Sequence, residues 1–230
     1  MQLKPGIHFI PDMGISNAYL VEDGDKIIVI DTGTPGHAKK IVTFVKSLGK
    51  EPSSVETIVL THPDFDHSGS VFELKQLTGA KVAIHALDAP RLAGEKPLKE
   101  AKGASGYLMK AFSSLMRFKP VAADILLKEG AFVGPLEIIE TPGHTAGSLS
   151  LFKEGIALFS GDALVTDKNG AFRKPSGMVT LDVQRAKESI RKMAMLEFDG
   201  LMPGHGAPVL DDASKKLKEF VTNELDQNEG

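Results

Sequence analysis

The chain has 230 residues, 42% of them hydrophobic and 25% charged, which excludes a disordered, collagen-like or rod-like protein and leaves ample length for a core. Its 27 basic and 30 acidic residues give a net charge of −3, without the basic excess that phosphate-backbone binding needs, so nucleic acid is not favoured as a partner. Cysteine is absent, which removes disulfides, thiolate metal sites and thiol nucleophiles together; any metal must rest on His and carboxylates.

The N-terminal segment MQLKPGIHFIPDMG has no apolar leader core, and no stretch approaches the ~20 apolar residues of a membrane span. A cytoplasmic chain with no membrane partner is expected. The first third predicts strands over 6–13, 16–22 and 26–30, an antiparallel meander that turns at Asp23-Gly24. The third strand, KIIVI, is a continuous apolar run, as expected of a strand covered on both faces, and it ends at Asp31-Thr32-Gly33.

Ile41, Val42, Phe44, Val45 and Leu48 recur at helical spacing and predict a helix over 37–48, with Gly49 as its stop. A strand over 57–60 then leads directly into THPDFDHSGS, which reads as a polar loop. A helix over 70–77, stopped by Gly79, and a strand over 81–85 follow.

Residues 86–120 break this rhythm and read as a helical insert. Between Arg91 and Lys119 seven basic residues face two acidic ones, so this stretch carries +5 and the remainder −8. Such a contrast suits a small-molecule substrate that is anionic, and a solvated charged face explains it equally well. The apolar cluster at 107–118 is expected to be core or a homodimer contact ahead of a substrate lid.

Strands are predicted over 125–127, 136–140, 148–152 and 157–160. A helix over 181–196 follows, with Thr180 or Asp182 near its cap and Val183, Ala186, Ile190, Met193 and Ala194 on one face. A strand over 200–202 and a helix over 212–225 complete the chain. Strands and helices in both halves, without strict alternation, predict two mixed sheets packed together with helices outside, as a single domain over 1–230.

His62, Asp64, Asp66 and His67 lie within six residues just past an apolar strand. Imidazole nitrogen and carboxylate oxygen both suit zinc and ferrous iron. Three later segments share one grammar, a strand followed by a Gly-containing turn with a His or Asp at its tip: TPGHTAGS with His144, FSGDALV with Asp162, and MPGHGAP with His205. His8, His37 and His85 fall outside these motifs and read as surface or core histidines.

This arrangement resembles the metallo-beta-lactamase superfamily, whose motif run is His-x-His-x-Asp-His followed by His, Asp and His in separate loops. The resemblance extends from Asp31-Thr32-Gly33 to Pro203-Gly204-His205-Gly206, and the metal motifs are similar to those of glyoxalase II-like and lactonase-like hydrolases. It implies an α/β (α+β) fold, a four-layer αββα sandwich, with two divalent metal ions, zinc first and iron or manganese as the other choices. The first ion would take His62, Asp64 and His144, the second Asp66, His67 and His205, with Asp162 shared and Asp31 supporting the ligand loops.

One position departs from the pattern: the second His of the run is Asp64, a harder oxygen donor that tilts preference from zinc toward iron or manganese. The activity implied is that of a metal-dependent hydrolase, in which hydroxide formed at the metals attacks a small ester, thioester or lactone and Asp66 orients it and carries its proton. Two alternatives stay open: a non-haem iron oxidoreductase, diiron or persulfide-dioxygenase-like, and a non-catalytic binding protein on the same fold.

Overall fold

The computed structural model describes residues 1–96 and 119–225. The chain divides into two compact units, Met1–Leu127 and Lys128–Gly230.

The first unit is built on a seven-stranded sheet whose spatial order follows the sequence: β1 (Gln2–Lys4), β2 (Ile7–Ile10), β3 (Ala18–Asp23), β4 (Lys26–Ile30), β5 (Val55–Val59), β6 (Lys81–His85) and β7 (Ile125–Leu127). Strands β1 to β4 pair antiparallel, as the predicted meander requires. Strands β4 to β7 pair parallel. Parallel neighbours need long crossovers, and helices α1 (Ala38–Ser47) and α3 (Val71–Thr78) supply the first two.

Those helices cover the sheet because their apolar residues fall on one face. Ile41 and Val45 of α1 and Val71 and Leu74 of α3 join Val29, Ile58 and Val82 in one core. The KIIVI strand is buried from Ile27 to Ile30, as its composition predicts. Gly79 ends α3 at φ +75, the left-handed conformation that glycine adopts without steric cost.

One feature differs from the sequence-based expectation. The segment after β5 is not loop throughout: Phe65–Ser68 forms a single helical turn, α2, because the N–H groups of His67 and Ser68 both donate to the Asp64 carbonyl at 2.9 Å. A short helix, α4 (Ala89–Leu92), opens the expected insert. Residues 97–118, with the 107–118 cluster and its expected dimer contact, lie outside the described residues.

The second unit carries a five-stranded sheet in the order β12-β11-β10-β9-β8, formed by β8 (Phe132–Val133), β9 (Leu136–Glu140), β10 (Leu149–Lys153), β11 (Ala157–Gly161) and β12 (Gly200–Pro203). All pairings are antiparallel except β11 with β12, whose crossover contains α5 (Val183–Met193). Asp182 is the N-cap of α5, its Oδ1 accepting from the Arg185 N–H at 3.0 Å. That cap starts the helix at Val183 rather than at 181.

Ala186, Ser189, Ile190 and Met193 are the buried face of α5. Ile190 and Met193 share a core with Ile139, Leu158 and Leu201 and with Leu217 and Phe220 of α6 (Ala213–Phe220). Strands β1 and β8 escape the sequence reading because three and two residues are too few to show a period. Among the described residues, no helix is long and apolar enough to cross a membrane.

Candidate metal centre

In the first unit the parallel register sets the carboxyl ends of β4 and β5 side by side. The Asp31 N–H donates to the Val59 carbonyl at 2.9 Å, just beyond the strand ends. Asp31 adopts φ +58, and this turn brings its carboxylate back over the start of the His62 segment. There Oδ1 accepts from the Thr61 N–H at 2.9 Å and Oδ2 accepts from the Thr61 hydroxyl at 2.8 Å.

The same Oδ2 lies 2.9 Å from Nδ1 of His67, and the Thr61 hydroxyl oxygen lies 3.0 Å from Nδ1 of His62. Donor bookkeeping fixes both rings. A carboxylate only accepts, so His67 Nδ1 carries the proton. The Thr61 hydroxyl has one hydrogen and gives it to Asp31, so it accepts from His62 Nδ1. With Nδ1 occupied in this way, each neutral imidazole turns Nε2 outward as an electron-pair donor, the state a ligating histidine needs.

The two Nε2 atoms face carboxylates. His62 Nε2 is 3.8 Å from Asp64 Oδ2, and His67 Nε2 is 3.8 Å from Asp66 Oδ2. The two rings lie 4.2 Å apart between centroids. All four side chains are buried, and the backbone beneath them is anchored: Thr32 donates its N–H and hydroxyl to the His67 carbonyl, at 2.6 and 2.9 Å, and the Ser16 hydroxyl donates to the Asp66 carbonyl.

Tyr19 is fully buried, which pushes its phenol well above the usual value; a hydrogen bond from Asn17 opposes this and the nearby charge of Asp31 adds to it. The tyrosine stays neutral beside the aspartate.

In the second unit, one oxygen of Asp162 faces two imidazoles. Its Oδ2 is 3.7 Å from His144 Nε2 and 3.3 Å from His205 Nε2. The His144 turn rests on the start of α5, where the N–H groups of Leu181 and Asp182 donate to the carbonyls of His144 and Gly143. Gly143 has φ +138, and a Cβ there would meet the Ala186 backbone nitrogen at 2.4 Å, so only glycine allows this approach.

The remaining histidines are engaged elsewhere. His8 Nε2 meets Glu22 at 2.6 Å, and His37 Nδ1 contacts Thr34. His85 Nδ1 accepts from the Leu87 N–H at 3.2 Å. Sequence reasoning missed Thr61, Thr32 and Ser16 as supports of the ligand segment; only Thr61 had a visible signal, its place directly before His62.

The donor chemistry fits divalent cations. Neutral imidazole nitrogens and carboxylate oxygens converging in this way form a donor set that a cation stabilises, and N/O donors suit zinc, iron and manganese.

A model of the metallo-beta-lactamase superfamily matches residues 11–215. The chain is 30% identical over 225 residues to the probable metallo-hydrolase YflN of Bacillus subtilis (strain 168), covering 89% of this chain and 85% of that protein. It is 25% identical to an N-acyl homoserine lactonase of a Bacillus species, covering 79% of each. Among solved structures, a metallo-beta-lactamase of Cronobacter sakazakii with a HARLDQ motif aligns with a TM-score of 0.72 at 21% identity, over 96% of this chain and 89% of that one. The two sheets with their helices are the metallo-beta-lactamase fold, as expected, and the chain belongs to the metallo-beta-lactamase superfamily of metal-dependent hydrolases.

Proposed function

We propose that this protein hydrolyses a small ester, thioester or lactone with two divalent cations, zinc first and iron or manganese as the other choices. The ligands are His62, Asp64 and His144 for one ion and Asp66, His67 and His205 for the other, with Asp162 shared. The two units act as one catalytic domain, a reading supported by the family match, which runs continuously from residue 11 to 215. The observation that carries the proposal is the chain from His62 through Thr61 and Asp31 to His67, which engages both Nδ1 atoms and leaves Nε2 as the nitrogen each neutral ring offers to a metal.

Divalent cations held there would supply Lewis acidity, polarising a carbonyl and lowering the pKa of a water toward neutrality. The chain's own residues do the rest. Asp66 orients the attacking water and takes its proton, then returns it to the leaving oxygen or sulfur. Its position is held from behind by Ser16 on its carbonyl, so the carboxylate is set before substrate arrives. Asp31 keeps the two rings in one tautomer throughout and exchanges no proton with substrate.

An acyl substrate suits a chain without cysteine, because this chemistry needs no nucleophilic side chain, and the lactonase named above is a relative with such a substrate. Asp64 supports a second reading, an iron-dependent oxidoreductase, since an oxygen donor here favours iron over zinc.

The test is elemental analysis of protein purified without added metal or chelator, followed by a panel of esters, thioesters and lactones. About two equivalents of metal and hydrolysis abolished by chelation are expected. Bound iron with oxygen consumption and no hydrolysis would select the second reading, and failure to bind metal after reconstitution would overturn both.

A further inference from the structure

We infer that Thr166 is a positioning residue that holds His205 against Asp162. The inference rests on the proposed ligand roles of those two residues and adds to them the device that sets their spacing.

Asp162 begins the segment after β11, and His205 lies in the turn after β12. These two segments are laced together atom by atom. The Gly204 N–H donates to the Gly161 carbonyl at 2.8 Å, the Thr166 N–H to the His205 carbonyl at 3.2 Å, and the Ala207 N–H to the Asp167 carbonyl at 3.0 Å. The Thr166 hydroxyl closes the lace by donating to the Ala207 carbonyl at 2.7 Å. Thr166 is 4% exposed, so this bond is made out of water and is costly to lose.

The contact leaves no slack. Gly206 has φ +86, and a Cβ there would come within 2.1 Å of the Thr166 carbonyl oxygen and 2.5 Å of its hydroxyl oxygen. Thr166 itself stands on a stiff base. It bridges to Phe172 across a tight reversal in which the Asp167 N–H donates to Ala171, while the Asp167 carboxylate accepts from the N–H groups of Asn169 and Ala171.

The need for such a device follows from burial. The His144 side chain is 4% exposed, whereas the His205 side chain is 30% exposed. For a side chain that exposed, the position of the backbone beneath it bears directly on where the ring sits. The 3.3 Å separation of His205 Nε2 from Asp162 Oδ2 is therefore set where the two backbones meet, at Thr166.

The experiment compares Thr166→Val, which keeps the branched volume and loses the hydroxyl, with Thr166→Ser, which keeps the hydroxyl. Zinc affinity is measured by chelator competition on the full chain, the cobalt(II) absorption spectrum is recorded, and melting temperature is followed without metal. Valine should weaken zinc binding about tenfold or more and alter the cobalt spectrum, while serine stays close to wild type. Thr166→Ala is read the same way should valine fail to fold.

Wild-type affinity and spectrum in the valine variant would overturn the inference, as would equal weakening by valine and serine. A wild-type chain that takes up neither zinc nor cobalt would overturn the ligand reading of Asp162 and His205, and this inference with it.

Discussion

Asp31 and His67, 36 residues apart, meet through a 2.9 Å contact between Oδ2 and Nδ1, and the same carboxylate oxygen accepts the Thr61 hydroxyl. One buried carboxylate thereby sets the tautomer of two histidines, one directly and one through a threonine. Replacing Asp31 by Asn keeps the shape and the φ +58 backbone, which Asn tolerates, and removes the charge that anchors both bonds. Zinc affinity should fall about 10- to 100-fold, measured by competition with a chromogenic chelator.

The Asp64→His substitution should act in the opposite direction. The helical turn α2 is held by the Asp64 carbonyl, not its side chain, so the new ring leaves the local backbone intact. A neutral imidazole replaces a hard oxygen donor and restores the family pattern. Tighter zinc retention during dialysis is expected; unchanged retention would show that residue 64 is not a ligand.

Gly69→Ala tests the packing under the ligand segment. The φ of Gly69 is −59, so no left-handed strain arises, but a Cβ there would sit 2.4 Å from both the Phe65 carbonyl oxygen and Pro35 Cδ. The backbone must shift to admit it. A loss of about 1 to 3 kcal/mol is expected in urea unfolding, together with weaker metal binding.

Asp124 makes a prediction about pH. Partial burial raises its pKa, but the Lys75 hydrogen bond at 2.6 Å, the Val82 N–H at 2.7 Å and the charges of Lys75 and Lys81 outweigh that and hold the carboxyl below the usual aspartate value. A lowered folded-state pKa means that the ionised group stabilises the fold above the unfolded value, and that this contribution is lost as pH falls through the folded value. Asp124→Asn should therefore destabilise the protein at pH 7, with the gap from wild type closing below about pH 4 in urea titrations.

Much of the fold is legible in the sequence. The strands Lys26–Ile30, Lys81–His85, Ile125–Leu127 and Leu136–Glu140 occur where composition and turns place them, because apolar runs bounded by Gly, Asp and Pro leave few alternatives. The α2 turn was not legible: in the sequence its four residues are indistinguishable from a polar loop, and it forms because Asp64 offers its carbonyl to two N–H groups.

The sequence by itself determined which residues can donate to a metal and that each follows an apolar strand. His62, Asp64, Asp66 and His67 are close in space because they are close in the chain, and no fold is needed to read that. Only the tertiary structure decided which nitrogen of each ring faces outward and how the donors are braced. Those facts depend on Asp31 reaching Thr61 and His67, and on Thr166 reaching the His205 turn, across separations of 30 to 41 residues. Strand register makes those meetings, by aligning carboxyl ends that no local pattern in the chain connects.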